Sequence, residues 1–295
     1  RDDLDAYYKL GNDIDMSGYS WQTIGSESNP FTGSLYGNGH IIFNWDFILN
    51  SNIQNKAWGL FHTISDAEIK DIGFEIGTID GSGCTTHNNV QQLGILSSSA
   101  ISSVIDSCYI TVDNYISVPE ISNPSYLIIF GLILLGSNSE ISNCYMIWND
   151  AFDYPYNGAY GFGLFGSLGG SATINNCYCD LVSFGYKYAQ NYAGLAGISG
   201  ASNAHVSNSI TISDMYTSNN LPSDNQFTTG IIGGTRNSDN TNVWYNADMI
   251  GAPSGGTTTN RFGAPTPNYN QQSFYQNTLG WDFANTWYWD DAENL

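Results

Sequence analysis

The chain has 295 residues, 27 acidic and only 7 basic, for a formal net charge of −20. Its bases (Arg1, Lys9, Lys56, Lys70, Lys187, Arg236 and Arg261) are scattered; phosphate neutralisation needs clustered Lys and Arg, so nucleic acid is excluded, and anionic membranes and polyanionic glycans are disfavoured. With 41% hydrophobic, 14% aromatic and only 12% charged residues, and with 32 glycines, the composition excludes long charged amphipathic helices and favours β-structure around a real core.

The chain opens at Arg1 with acidic residues and no leader pattern, and reads as a mature or excised segment. Tyr7-Tyr8-Lys9-Leu10 is a strand candidate, followed by the turn-rich stretch Asn12 to Gly18. Short apolar pieces follow at Trp21–Gly25, Phe31–Leu35 and Gly37–Ile42. Residues 1–55 therefore read as atypical first coils of a repeat that begins after them.

That repeat opens with Gly-apolar-apolar at Gly59, Gly94, Gly131, Gly163, Gly194 and Gly230. Its second half opens at Ile69, Ile105, Ile141, Ile174 and Val206, with a degenerate copy at Asn240. A period of 31 to 37 residues marks stacked units, each too small to bury its own apolar face. In register, one column reads Asp71, Ser107, Asn143, Asn176, Asn208, Asn242. These residues tolerate left-handed backbone and can bond their own main chain, which places a turn there; stacked Asn can also form ladders. The next columns are Ile72, Cys108, Cys144, Cys177, Ser209, Val243 and, two residues on, Phe74, Ile110, Met146, Cys179, Thr211, Tyr245. Strand side chains alternate faces, so these two columns share the inward face. Between them Gly73, Tyr109, Tyr145, Tyr178, Ile210 and Trp244 point outward. The glycine column suits a tight corner needing positive φ.

One coil per repeat with columns in register describes a right-handed parallel β-helix, rising ~4.8 Å per coil. A β-propeller needs blades of about 40–45 residues with four strands each, which these repeats do not supply. Cys108, Cys144 and Cys177 would lie one coil apart on parallel vectors, about 4.8 Å between Cβ atoms, beyond ordinary disulfide reach; they are expected to be free, buried thiols. The run Tyr126 to Leu135 contains the third Gly-apolar-apolar unit and is half the length of a membrane helix, so it reads as buried strand. Residues 56–245 thus carry six repeats within a single domain spanning 1–295. Residues 246–295 break the pattern and end in the aromatic series Gly280-Trp281-Asp282-Phe283 to Trp287-Tyr288-Trp289, which reads as a cap for an open coil, with a binding platform as the competing reading.

The opening YYKLGNDIDMSG, the segment FTGSLYGNGHII, Gly59-Leu60-Phe61 and Gly163-Leu164-Phe165, and the I-x-N-C-Y stretches at Ile141 and Ile174 resemble bacterial and archaeal surface proteins that carry the GLUG repeat. The closing Gly280-Trp281-Asp282-Phe283 with Trp287 is similar to that family's terminal motif. The resemblance covers almost the whole chain, departing where Phe is lost at Gly94-Ile95-Leu96, Gly194-Leu195-Ala196 and Gly230-Ile231-Ile232. It implies an adhesin-like, extracellular β-helix at the cell surface, often a module of a longer chain, and it brings no catalytic residues.

Chemistry is sparse. A glycosidase needs two carboxylates across one cleft, about 5–9.5 Å apart; the pairs Asp150/Asp153, Asp13/Asp15 and Asp290/Asp291 are the candidates, each read first as turn or surface residues. His40, His62, His87 and His205 show no metal spacing, and Cys177-x-Cys179 fits no zinc pattern. No cofactor or metal is expected; the acidity admits a structural Ca2+, but no motif calls for one. The candidate ligand-binding residues are the outward aromatic column, Tyr109, Tyr145, Tyr178 and Trp244, because flat aromatic rows suit the C–H faces of sugar rings; a column that only packs and shields the sheet is the competing reading. Inserted segments at Gly77–Gln92, Val118–Tyr126, Asp150–Tyr160 and Ser213–Phe227 are further candidates. The expected function is a non-enzymatic, extracellular structural or adhesive β-helix of a surface adhesin, sheath or fibre, contacting glycans or partner proteins. The alternatives are a glycosidase-like enzyme on neutral polysaccharide, and a self-assembling filament or viral spike subunit.

Overall fold

Eleven left-handed backbone positions held by Asn, Asp or Ser punctuate the chain, and they explain how so short a repeat closes on itself. The structure, a computed structural model, describes residues 3–50, 57–83, 90–116, 127–154, 160–186, 193–202, 204–212, 215–217, 227–229, 241–246, 261–264 and 266–289. Every named strand pairing is parallel, and those within the repeats join a strand to its counterpart one repeat away. The chain is a parallel β-helix of two main sheets. The larger contains the second half-motifs; the smaller contains the glycine-led strands Val90–Ile101, Leu127–Ser137, Tyr160–Gly169 and Ala193–Ser202. The apolar run expected to be a strand is one, Leu127–Ser137, and among the described residues no helix is long and apolar enough to cross a membrane.

The register follows the sequence columns. Tyr8, Leu35, Ile69, Ile105, Ile141, Ile174 and Val206 pair one above another. The column therefore reaches two coils upstream of the recognisable repeat, to Leu35 and Tyr8. Ile72, Cys108, Cys144, Cys177, Ser209 and Val243 are all at most 1% exposed, as are Phe74, Ile110, Met146, Cys179 and Thr211. Both inward columns thus form the core, and the four described cysteines in it are free; Cys84 lies outside the described residues.

The turn column is left-handed in every copy: Asp71, Ser107, Asn143, Asn176, Asn208 and Asn242 have φ between 48° and 57°. Asn176 Nδ2 donates to Asn143 Oδ1 at 3.3 Å and Asn242 Nδ2 to Asn208 Oδ1 at 2.9 Å, so part of the amide ladder forms. Immediately after the turn, each thiol donates back across it: Cys108 Sγ to the Asp106 carbonyl (3.3 Å), Cys144 to Ser142 (3.1 Å), Cys177 to Asn175 (3.3 Å). Ser209 Oγ makes the same bond to Ser207 at 2.7 Å. The cysteines are more than small hydrophobes: they tie down the carbonyl of each corner inside a dry core, where an unmade bond is costly.

A second left-handed corner, not anticipated from sequence, lies just before the same short strands: Asp66, Ser102, Asn138 and Gly170, with φ of 52°, 48°, 54° and 65°. Beneath it runs a buried serine ladder in which Ser103 Oγ accepts from the Ala67 N–H and Ser139 Oγ from the Ser103 N–H.

The glycine column corrects the expectation of a positive-φ corner. Among its described members, Gly59 and Gly163 alone have positive φ (157° and 159°), at the margin of extended backbone. What these positions need is room. A Cβ on Gly59 would come 1.9 Å from the Gly94 carbonyl oxygen, one on Gly94 2.1 Å from that of Ser97, and one on Gly131 2.5 Å from that of Gly163. The strand registers shift between Gly131 and Ile133 and between Gly161 and Gly163. The column marks a stack of bulges where backbones meet without side chains between them. Two supposed insertions also prove partly regular: strands Glu68–Gly83, Val90–Ile101, Tyr145–Tyr154 and Tyr160–Gly169 extend into the Gly77–Gln92 and Asp150–Tyr160 segments. The Val118–Tyr126 segment and most of Ser213–Phe227 lie outside the described residues.

Candidate binding groove

The outward column pairs in register as Ile41, Gly73, Tyr109, Tyr145, Tyr178, Ile210, Trp244 and Phe262. Tyr109 and Tyr145 stack with centroids 4.6 Å apart and planes 3° from parallel. This spacing is the rise between coils, so the stacking costs no backbone distortion. Gly73 makes room below: a Cβ there would come 2.2 Å from the Tyr109 ring. Strand alternation places the column outside the core, but most of it is not open to water. Tyr178 is only 5% exposed and Ile210 0%.

What covers it is the C-terminal segment. Two short helical turns, Thr266–Tyr269 and Gln272–Phe274, lead into the π-turn Tyr275–Leu279, which stops at Gly280 with φ 75°. The aromatic cap is present, and it runs back along the flank of the helix across successive coils. Phe274 meets Trp244 edge-on at 5.1 Å, Tyr275 lies 6.4 Å from Tyr178, and Trp287 lies 6.2 Å from Tyr145. Trp281 and Trp287 stack on each other at 4.1 Å. Two hydrogen bonds fix the tail to the asparagine corners: Trp281 Nε1 donates to the Asn208 carbonyl (2.9 Å), and Asn242 Nδ2 donates to the Thr278 carbonyl (2.7 Å). The turn column thus has a second use beyond closing each coil.

Where the tail and the column part, they leave a groove of about 370 Å³. The rod side contributes Tyr109, Tyr145 and Tyr178 with Asp71, Ser107 and Asn143 from the corners. The tail side contributes Tyr275, Trp281, Phe283 and the run Trp287 to Trp289. Among the described residues no Lys or Arg lines it, and Asp71 is the one carboxylate that does. Burial raises the pKa values of four phenols in the groove. Tyr109 is pushed up to about 12 by burial, then by the charges of Glu75 and Asp13. Burial likewise lifts Tyr145, Tyr178 and Tyr275, the last two with the Asp180 charge as the next cause. Near neutrality every one is a neutral phenol able to donate.

Of the sequence-predicted site residues, Tyr109, Tyr145 and Tyr178 come together in this groove, while Trp244 sits further along the column under Phe274. Sequence reasoning offered the tail tryptophans as a binding platform only behind the cap reading, and did not join them to the tyrosine column; the signal was the density of aromatics after Gly280. Of the carboxylate pairs, Asp13/Asp15 is the one whose side chains are described, and both are engaged in hydrogen bonds. Asp13 accepts from His40 Nδ1 (2.9 Å) and the Ile41 N–H (3.1 Å), and Asp15 from the Ser17 N–H (2.9 Å) and Asn44 Nδ2 (3.1 Å). Those bonds lower both pKa values, led in each case by the backbone N–H. The pair staples the first coil to the second. The side chains of Asp150 and Asp153, and all of Asp290 and Asp291, lie outside the described residues. No group of three or more His, Cys, Asp or Glu able to hold a metal occurs among the described residues.

No protein-family model matches the chain, and no curated protein matches it. Among solved structures it is similar to the crystal structure of a "putative immunoglobulin A1 protease" from Bacteroides ovatus, at 19% identity and a TM-score of 0.55, covering 88% of this chain and 76% of that one. At that identity the likeness bears on the fold, which is again the stacked β-architecture described above.

Proposed function

We propose that this chain is a non-enzymatic, extracellular contact module of a cell-surface adhesin, sheath or fibre, akin to the GLUG-repeat surface proteins that its sequence resembles. The observation that carries this reading is the groove itself: a wall of stacked aromatic rings with a single carboxylate and no base. Hydrolysis of a glycosidic bond calls for two opposed carboxylates and lyase chemistry for a basic group, whereas adhesion calls for broad aromatic area and amide side chains. The rod favours multivalent contact, because copies of a module along a surface multiply weak individual affinities. Its partners would be glycans or proteins of another surface.

The test is to incubate the purified chain with a panel of neutral and acidic polysaccharides and with intact cells, recording retention and the appearance of new reducing ends. Retention without new ends is expected. Reducing ends that appear in proportion to protein would overturn the reading in favour of a glycosidase. Ordered filaments of the pure protein, with no retention on any surface, would favour a self-assembling subunit instead.

A further inference from the structure

Two polar atoms at the groove have no hydrogen-bond partner among the described residues: the Tyr275 hydroxyl and Trp287 Nε1. Tyr275 is 2% exposed, and both atoms are shut away from water. A buried N–H or O–H without a partner costs roughly 1–3 kcal/mol, and native proteins rarely leave one. The rest of the tail meets that rule: Trp281 Nε1 and Asn242 Nδ2 both find carbonyls. The two orphans are also the two tail residues that face the tyrosine column, Tyr275 against Tyr178 and Trp287 against Tyr145.

We infer that this groove is a binding site for an uncharged, hydroxyl-rich ring, a neutral pyranose unit of a glycan, with Trp287 Nε1 and the Tyr275 hydroxyl as hydrogen-bonding groups that a small displacement of the tail from the column opens to it. The inference rests on the contact-module reading and specifies its ligand. The chemistry selects the class. Indole N–H is a donor only, so the ligand must bring an acceptor. The aromatic lining asks for apolar C–H faces beside that acceptor. Ser107, Asn143 and Asp71 on the rod side can take or give bonds to further hydroxyls. A uronate or sulfated sugar would meet Asp71 with no Lys or Arg to offset it. An organic cation such as choline would suit the rings and Asp71, but it brings a single hydroxyl where a pyranose brings several, so choline is the discriminating control.

The site is tested on the intact chain by following the Trp287 indole N–H resonance, identified by its loss in Trp287→Phe, during titration with neutral oligosaccharides (gluco-, manno-, galacto- and xylo-hexaose), with oligogalacturonate and with choline. A neutral oligosaccharide is expected to shift the resonance. Tyr275→Phe keeps its ring and removes one hydrogen bond; Trp287→Phe keeps an aromatic ring but loses the indole N–H together with part of its stacking on Trp281. Each is expected to weaken binding about fivefold or more, and Tyr275→Phe to leave the melting temperature unchanged or slightly raised. No shift with any neutral oligosaccharide, preferential binding of oligogalacturonate or choline, or undiminished sugar binding in both Phe variants would overturn the assignment. The two proposals fail separately. Retention on a protein surface with a silent groove removes only the sugar site, and sugar binding accompanied by cleavage removes only the non-enzymatic reading.

Discussion

Asn208 shows how much one side chain carries in this molecule. Its backbone is left-handed at φ 48°, its amide donates to Asn175 Oδ1 (3.0 Å) and accepts from Asn242, and its carbonyl takes the Trp281 indole. Asn208→Ala loses both side-chain bonds and keeps a Cβ in a region that costs about 1–2 kcal/mol, whereas Asn208→Gly loses the same bonds but is relieved of that cost. Chemical denaturation should find the Ala variant less stable than the Gly variant by about 1 kcal/mol; equal stability would show that the corner is not backbone-limited. The buried phenols set a pH limit. Each has a folded pKa above its unfolded value near 10, so their stabilisation is complete below about pH 10 and is lost as pH rises from there, through about 12 for Tyr109. Unfolding midpoints should be flat from neutrality to about pH 9 and fall steeply above 10, with a shallower fall in Tyr178→Phe. A flat profile to pH 12 would mean that the phenols are solvated.

At the scale of the element, the coil corner was legible because residue type and period agree: Asn, Asp or Ser at a fixed place in a 32- to 36-residue interval has few uses other than a left-handed turn. The inward columns were legible because strands alternate. The second corner was written in the same language, as Asp66, Ser102, Asn138 and Gly170, but it falls between the two apolar half-motifs, where no hydrophobic column draws the eye. The glycine column was legible as a position and misread as a conformation, since Gly signals either a turn or a close approach and only packing decides between them. Gly94→Ala should cost about 2–3 kcal/mol, because the obstructing atom is the Ser97 backbone carbonyl, which cannot swing aside. Cys144→Ser should be tolerated within about 1 kcal/mol, since Ser209 performs the same corner bond in its own coil. The four described thiols are at most 0% exposed, and burial lifts those of Cys108 and Cys144 well above the ordinary thiol range. In a Cys84→Ser background, alkylation should therefore track global unfolding. Rapid labelling of native protein would contradict the closed core.

At the scale of the molecule, the repeat builds a rod whose flank is rewritten by a segment outside the repeat. Periodicity could reveal the rod because every coil restates it. It could not reveal the groove, which depends on where a non-repeating tail lands: Phe274 on Trp244, Tyr275 on Tyr178, Trp287 on Tyr145. The tyrosine column and the terminal tryptophans, which the sequence presents as two unrelated features 100 residues or more apart, are the two walls of one site. Tail docking also secures the last coils, whose described strand Thr241–Asn246 would otherwise meet water on its outer face at Trp244.

The central claim is that this tail-and-column groove, and no other face, makes the contact. Its most direct test is retention of the intact chain on an immobilised neutral polysaccharide, measured beside Tyr145→Ala, Trp287→Ala and their double variant. The account predicts that each single variant elutes early and that the double variant loses little more than either, because both walls serve one ligand. Retention of all three variants equal to that of the parent chain would contradict it.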